Sequence, residues 1–231
     1  LYVIYYNEVV KMQIDEKYFY ENAMQKNSVE DVLYDGEKVL WKGKPNAKSY
    51  VLAAMMRMLP IAIIWLIFDG AFIIGISIGI SQESIPLGIL GFIIPFFLLH
   101  LMPVWMWIGN TVRAFREVKN LEYAITDKRI MIRSGVIGID FKFINYTEID
   151  SVNVKVGFID KIFKVGDIYI NSSVNSGVLW DVSNPYGIAR ALQKVTTDIK
   201  SDIHYPNALR PDSNPGYKTG YSENPFDDTK F

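Results

Sequence analysis

Residues 58–80 read MLPIAIIWLIFDGAFIIGISIGI and residues 86–109 read PLGILGFIIPFFLLHLMPVWMWIG. At a rise of about 1.5 Å per residue, helices of these lengths span roughly 34–36 Å, whereas the hydrocarbon core of a bilayer is about 30 Å thick. Each run is therefore long enough to cross a membrane. Because SQESI at 81–85 is all that separates the two runs, the sequence predicts a transmembrane hairpin with spans 58–80 and 86–109.

The charges that flank the two runs predict the orientation of this hairpin. The SQESI connection contains Glu83 and neither Lys nor Arg, whereas basic residues lie on both flanks. These residues are Lys38, Lys42, Lys44, Lys48 and Arg57 before the first run, and Arg113, Arg116 and Lys119 after the second. Cytoplasmic loops carry an excess of Lys and Arg. We therefore expect both termini in the cytoplasm and the connection outside.

Composition narrows the classes of function. The 231 residues include no cysteine, which excludes disulfides, thiol catalysis and thiolate metal sites. A net charge of −1 gives no bulk field that would attract nucleic acid. The sequence has no P-loop, no GxGxxG after a strand and no HExxH. It therefore predicts no cofactor, no metal and no nucleic-acid partner, and it identifies no small-molecule substrate.

Composition and periodicity divide the chain into five segments. A polar and aromatic N-terminal segment covers 1–35, and a pre-membrane strand with the start of a helix covers 36–57. The hairpin covers 58–109, and a domain with a juxtamembrane stalk covers 110–203. The tail 204–231 is rich in Pro, Gly, Asn and Asp with few aliphatic residues, so it is predicted to be flexible.

Downstream of Leu121 the hydrophobic period changes from 3.6 to 2. The stretch KRIMIRSG at 128–135 places Ile130 and Ile132 on one face, with Arg129, Met131 and Arg133 on the other. Further short alternating stretches follow with turn signals between them. This pattern is typical of an antiparallel meander and not of a βαβ repeat.

A helix is predicted to close the domain. Asn184 is a good N-cap residue, and Pro185 behind it suits the first helical position. The apolar residues that follow are spaced by four, three and four, and so share one helix face: Ile188, Leu192, Val195 and Ile199. We expect this face to cover one open end of the strands.

The domain resembles a known bacterial family in three stretches. They are LEYAITDKRIMIRSGVIG at 121–138, FINYTEIDSVNVKVGFIDKIFKVGDIYI at 143–170 and VLWDVSNPYGIARAL at 178–192. They resemble the bacterial pleckstrin-homology-like (PH-like; YdbS/YdbT-like) membrane proteins. The resemblance implies a PH-like antiparallel β-barrel, or a bent seven-stranded sheet, capped by a C-terminal helix and hung below a helical hairpin. It implies no catalytic motif. The expected fold class is an α+β membrane protein that combines the transmembrane hairpin with this cytoplasmic domain at a bacterial cell membrane.

Two ionisable residues lie within the apolar runs. Asp69 lies in the middle of the first run, where a carboxylate costs roughly 2.5–3.5 kcal/mol on insertion scales unless it is paired or protonated. In a hairpin that turns at 81–85, Asp69 faces position 97, less than one helical turn from His100. We expect an intramembrane polar pair that serves either as a clasp between the helices or as part of a proton or ion relay.

A stripe of small residues follows Asp69. Ala71, Gly75 and Gly79 recur every four residues, which allows close helix packing within the hairpin or between copies of the chain. The stretch 75–79 also matches the GxSxG nucleophile pattern around Ser77, but that pattern needs a strand-to-helix turn. Helix packing is therefore favoured over a hydrolase.

Lys128, Arg129 and Arg133 form a basic group on the first hairpin of the domain. Attraction to an anionic leaflet contributes about 1 kcal/mol per well-placed basic residue. The group is interpreted either as an anionic-lipid contact or as a solvated strand face.

The sequence therefore predicts a non-catalytic, membrane-anchored binding or scaffold module. Its expected partners are the lipid bilayer and a protein segment or a second copy of the chain. The groove between the closing helix and the neighbouring strand is a natural peptide site in such a fold. The alternative is a small oligomeric transporter or channel that uses Asp69 and His100.

Overall fold

The protein is described here by a computed structural model that covers residues 28–82, 86–204 and 224–229. Most of the predicted N-terminal segment, Glu83 in the connection and residues 205–223 of the predicted tail lie outside the described residues. The described part forms seven strands and five α-helices. The strands are β1 (Val39–Gly43), β2 (Glu122–Thr126), β3 (Arg129–Ser134), β4 (Asp140–Asn145), β5 (Ile149–Lys155), β6 (Val165–Ser172) and β7 (Gly177–Ser183). The helices are α1 (Ala47–Ser81), α2 (Leu90–His100), α3 (Met102–Asn120), α4 (Phe158–Phe163) and α5 (Pro185–His204).

The strands form two antiparallel sheets, ordered β1-β2-β3-β4 and β5-β6-β7. From β2 onward, paired strands follow each other in the chain, as the alternating pattern predicts. β1 and β2 are the exception, because α1, α2 and α3 separate them although Trp41 pairs with Ile125 and Gly43 with Tyr123. The helices are thus inserted between two paired strands. The segment 36–57, which the sequence sets apart from the domain, contributes the edge strand of its larger sheet.

The main core lies between the two sheets and α5. Its fully buried side chains include Tyr123, Ile130, Ile144, Ile168 and Leu179. The predicted face of α5 joins them, since Ile188, Leu192 and Val195 are buried and Ile199 packs against the cluster. The predicted N-cap is also confirmed, because Asn184 Oδ1 accepts a hydrogen bond from the Gly187 N–H at 3.2 Å.

The outer face of the four-stranded sheet is covered as well. Met131 lies on the face opposite Ile130 and Ile132, yet it is fully buried. It forms a second cluster with Val29 and Ala124. Residues 28–33, just before β1, supply part of this cover. Strand alternation therefore separates the two faces correctly, but it does not show that both are buried.

The two apolar runs form helices of different continuity. α1 is unbroken over 35 residues, and it is capped by Asn46 Oδ1, which accepts hydrogen bonds from the N–H groups of Lys48 and Ser49. α1 is long and apolar enough to cross a membrane. The second run is predicted as one helix, but α2 and α3 are bent by 45° to each other. Pro103 lies in the first turn of α3 and lacks the N–H that would continue the α2 hydrogen bonds, which explains the break.

The chain returns to the domain near its end. Residues 224–229 pack beside α5, and the Phe226 side chain is 0% exposed within the main core. The prediction of a flexible tail is therefore wrong for these six residues. The composition of the tail is polar overall, but one aromatic residue in it is buried.

Candidate functional site

The structure brings Asp69 and His100 together inside the apolar helices. Asp69 Oδ1 lies 2.8 Å from His100 Nδ1, and Asp69 is 2% exposed. Four aromatic rings have their centroids within about 6.5 Å of the imidazole, namely Trp65, Phe68, Phe96 and Phe97. The second carboxylate oxygen of Asp69 has no hydrogen-bond partner among the described residues. This geometry joins α1 to the C-terminal end of α2.

Two indole groups satisfy the backbone at the bend between α2 and α3. Trp65 Nε1 donates to the carbonyl of His100 at 2.7 Å, and Trp105 Nε1 donates to that of Leu98 at 3.1 Å. If these helices lie in a membrane as the sequence predicts, unpaired carbonyls at the bend would be costly, and these two bonds would offset part of that cost. Further along, Trp107 Nε1 and Asn110 Nδ2 donate to carbonyls of α1. The three helices are therefore fastened by polar side chains as well as by apolar packing.

At its centre, the small-residue stripe does not pack against the other described helices. A Cβ added at Gly75 would meet nothing within 4 Å, and Ala71 is exposed. The structure therefore does not place Gly75 in a close contact within the hairpin. Ser77 is also exposed, and its hydroxyl donates to the Ile73 carbonyl of its own helix at 2.8 Å. His100, which lies within the second apolar run, is paired with Asp69 and not with Ser77.

The predicted basic group is divided by the fold. Arg129 is buried, and its guanidinium donates to both carboxylate oxygens of Glu37 and to the Val32 carbonyl. The guanidinium also packs over the rings of Tyr34 and Phe143. The prediction that Arg129 contacts anionic lipid is therefore wrong, because the segment before β1 covers this strand face and supplies the carboxylate.

The other two members of the basic group have different surroundings. Arg133 Nη1 lies 3.8 Å from Glu122 Oε2 and its side chain is largely buried. Glu122 is also approached by Lys42 at 3.1 Å and by Lys44 at 3.8 Å. Lys128 is exposed. The three residues do not form one continuous basic surface, so a lipid contact through them stays a prediction for Lys128 alone.

A polar cavity of about 330 Å³ lies where the helices meet the domain. It is lined by charged residues from the helices and from the domain: Arg57, Arg113, Glu117, Asp160, Asp167 and Asp181. Arg57 directly precedes the first apolar run, so this junction lies next to the membrane boundary that the sequence predicts. The start of α1 is tied to the domain here, since the Asn46 N–H donates to the Asp181 carbonyl at 2.9 Å.

The carboxylates of this junction have shifted acidities. Burial raises the pKa of Asp181 to about 6; the nearby Ser49 hydroxyl lowers it, while repulsion from Asp167 and Asp160 raises it further. Burial also raises the pKa of Asp167, against the effect of the Asp181 N–H, which donates to Asp167 Oδ1 at 3.0 Å. Charge at the junction between helices and domain is therefore sensitive to pH near neutrality.

The groove between α5 and β5, predicted as a peptide site, is partly closed by side chains of α5. Gln193 Nε2 donates to the Val152 carbonyl at 3.1 Å, and Lys200 Nζ donates to the Ile149 carbonyl. A peptide that added to this strand edge would compete with both donors. Within residues 28–82, 86–204 and 224–229, no group of three or more His, Asp or Glu side chains is placed to hold a metal ion.

A family match supports the PH-like fold of the domain. A family model described as the bacterial PH domain matches residues 59–194. A solved structure of a DUF1696 family protein with a pleckstrin-homology domain from Shewanella loihica PV-4 is 19% identical, with 35% of this chain and 71% of that chain covered and a TM-score of 0.26. The search of curated proteins gives no match. The family match confirms the resemblance predicted from the sequence. Because it extends over more than half of the chain, the chain belongs to the bacterial PH domain family.

Proposed function

We propose that this protein is a membrane-anchored, non-catalytic binding module whose PH-like domain is held at the cytoplasmic face of a bacterial membrane. The observation that carries the proposal is the insertion of the apolar helices between β1 and β2. These strands pair directly, so the chain must leave the domain and return to it on the same side. An anchor built in this way presents the whole domain to one compartment.

The insertion also supports two membrane passes. If α1 crosses the bilayer, the bent pair of α2 and α3 must bring the chain back, because β2 follows α3 directly. The outward surface of these helices is apolar and exposed, including Ile64, Ile67, Phe68, Ile74, Phe92 and Leu99. So much apolar surface is unfavourable in water and is typical of contact with lipid. The flanking Lys and Arg residues support an orientation with both termini in the cytoplasm.

Within this proposal the Asp69–His100 pair is a clasp. It joins α1 to α2, the next α-helix along the chain, and it lies beside the bend, where Trp65 Nε1 donates to the His100 carbonyl. Interhelical hydrogen bonds in membranes contribute on average about 0.6 kcal/mol and at most about 1.7 kcal/mol. A clasp of this size stabilises one arrangement of the helices without requiring transport.

The anchoring proposal is tested by the accessibility of introduced cysteines, since the chain contains none of its own. Gln82→Cys lies at the end of α1, and Val174→Cys lies in the exposed turn between β6 and β7. In intact spheroplasts we expect a membrane-impermeant maleimide to label the first variant and to label the second only after lysis. Labelling of both positions in intact cells, or of Val174→Cys alone, would contradict the proposed topology.

The transporter alternative is tested with Asp69→Asn in proteoliposomes that contain a pH-sensitive dye. The binding-module proposal expects no proton flux from the native protein and a lower thermal stability for the variant. Ser77→Ala is the matched control, because Ser77 is in the same helix and bonds to its own backbone. A proton flux that depends on Asp69 would contradict the binding-module proposal and support the transporter alternative.

A further inference from the structure

The end of the chain forms a compact turn that closes on itself. The Phe226 N–H donates to Asn224 Oδ1 at 3.0 Å, and the Asp227 N–H donates to the Asn224 carbonyl at 3.0 Å. The Thr229 N–H and hydroxyl both donate to the Phe226 carbonyl. Pro225 fixes one further backbone angle. The shape of this turn is thus encoded locally by its own sequence, Asn-Pro-Phe followed by acidic residues.

The turn presents two groups to the domain. The Phe226 ring is fully buried in the main core. Asn224 Nδ2 donates to the Leu40 carbonyl of β1 at 2.8 Å. One aromatic ring in a pocket and one amide on a strand edge are the kind of contacts by which folded domains recognise short peptide segments.

The groove that receives the turn extends beyond it on both sides. Next to α5 there is a cavity of about 590 Å³, which Asn224 and Asp227 share with Tyr186, Arg190 and Lys194. Next to β1 there is a cavity of about 540 Å³, whose lining includes Leu40, Trp41 and Val182. The α5 wall carries Arg190 and Lys194 beside Asp227 of the turn, and Lys194 is also paired with Asp198 at 2.9 Å. The shape of the groove and the charge of Arg190 match a peptide that carries an aromatic residue and then acidic residues.

We propose that the groove between β1 and α5 is a peptide-binding site for an Asn-Pro-Phe turn followed by acidic residues, and that Asn224–Thr229 is its exchangeable intramolecular ligand. The site gives the proposed binding function a location and rests on that function. Residues 205–223 connect the turn to α5, and such a length of chain reaches at most roughly 60–70 Å. This reach lets the same segment of a second copy enter the groove.

The proposal is tested by vacating the groove and supplying the segment from outside. The full chain in detergent micelles is prepared with Phe226→Ala, and in parallel with residues 224–231 deleted. The probe is the fluorescent peptide SENPFDDT, and its matched control has Ala in place of Phe. We expect saturable binding of the probe to both variants, measured by anisotropy, and no binding of the control. The native chain should bind at least about tenfold more weakly, because its own turn competes at a millimolar effective concentration.

Each outcome of this experiment decides the question. If both variants fold, as judged by circular dichroism and cooperative unfolding, and neither binds the probe, the site does not exist. If neither variant folds, Phe226 is an integral core residue and the turn is not exchangeable, which also overturns the proposal. Equal binding of the probe to the native chain and to the variants would show that the peptide binds outside this groove, which would overturn the proposal. If the probe separates a native dimer into monomers, the segment is exchanged between copies, which supports the site. None of these results alters the cysteine accessibility that tests the membrane anchor.

Discussion

The buried pair of Glu37 and Arg129 links the segment before β1 to β3, and its removal should strongly destabilise the domain. Glu37 is 8% exposed and Arg129 is 6% exposed. Glu37 Oε2 accepts hydrogen bonds from Arg129 Nη2 at 3.2 Å and from the Tyr34 N–H at 2.8 Å. Glu37 Oε1 accepts one from the Thr126 hydroxyl at 2.6 Å. The carboxylate is therefore surrounded by donors, and the guanidinium has no other described carboxylate within ion-pair distance.

The expected magnitude follows from what each change leaves behind. Glu37→Gln leaves a buried guanidinium without a countercharge and turns an amide NH₂ towards the existing donors. Breaking one side of a buried pair costs roughly 3–5 kcal/mol, whereas replacing both partners with apolar residues of similar volume is often neutral or stabilising. Glu37→Gln and Arg129→Met should therefore each lose about 3–5 kcal/mol. The double variant Glu37→Met/Arg129→Met should recover most of this loss.

The same pair predicts a dependence on pH. Burial raises the pKa of Glu37, but hydrogen bonds from Thr126 and Tyr34, together with Arg129, outweigh burial and hold it below its ordinary value of 4.5. A carboxylate with a lowered pKa stabilises the fold above its unfolded pKa, and this contribution is lost as the pH falls through the folded value. As the pH is lowered below 4.5, the free energy of unfolding of the native protein should therefore decrease, in part because Glu37 becomes protonated. The Glu37→Gln variant should lack this part of the decrease.

The assay is urea unfolding of the full chain in detergent micelles, followed by the β-sheet circular dichroism signal. Glu30→Gln is the matched control, because Glu30 pairs with Lys42 at an exposed site and such pairs contribute about 0–1 kcal/mol. A loss below about 1 kcal/mol for Glu37→Gln would refute the reasoning, and so would a Glu37→Met/Arg129→Met variant as unstable as the sum of Glu37→Met and Arg129→Met.

Two further predictions concern single positions in the domain. Asp181 has a pKa raised from 3.8 to about 6, so its contribution to stability is present below pH 3.8 and is lost as the pH rises through 6. Asp181→Asn should therefore be more stable than the native chain by about 2–3 kcal/mol above pH 7, and this difference should vanish near pH 4 in the same unfolding assay. Gly135 has a φ of +136°, and a Cβ there would meet the Gly138 carbonyl oxygen at 2.0 Å. Gly135→Ala should lower the free energy of unfolding by about 1–3 kcal/mol or more, whereas Gly138→Ala, with open space around it, should show little change.

Local periodicity was sufficient to predict the elements of the domain. The alternation around Ile130 and Ile132 identifies the inner face of β3, and Asn184 with Pro185 identifies the start of α5. These patterns depend on residues a few positions apart, so one sequence contains all the information that they need. The family resemblance rests instead on the matched stretches 121–138, 143–170 and 178–192, and the family match over residues 59–194 confirms it.

Features that depend on distant residues were not predictable from periodicity. Arg129 has the pattern of a solvent-facing strand residue, and it is buried by Glu37, which is 92 positions away. Phe226 lies in a polar tail, and its turn binds Leu40, which is 184 positions from Asn224. The bend beside His100 had a local signal, Pro103, but the compensating bond comes from Trp65 in another helix. Long-range cover, rather than local pattern, decides which of the predicted site residues remain accessible.

β1 is the place where these long-range contacts converge. Just before it, Lys38 exchanges hydrogen bonds with Asp127, and in its middle the Leu40 carbonyl accepts a hydrogen bond from Asn224. Three residues after its end, Asn46 caps α1 and bonds to the domain. A five-residue edge strand has one neighbouring strand, so contacts at its free edge have a large influence on its stability. An empty groove would loosen the strand that leads into α1, whereas a bound peptide that keeps the Leu40 contact would hold it. If α1 anchors the domain as proposed, binding in the groove and the position of the domain relative to α1 are therefore expected to be coupled through this strand.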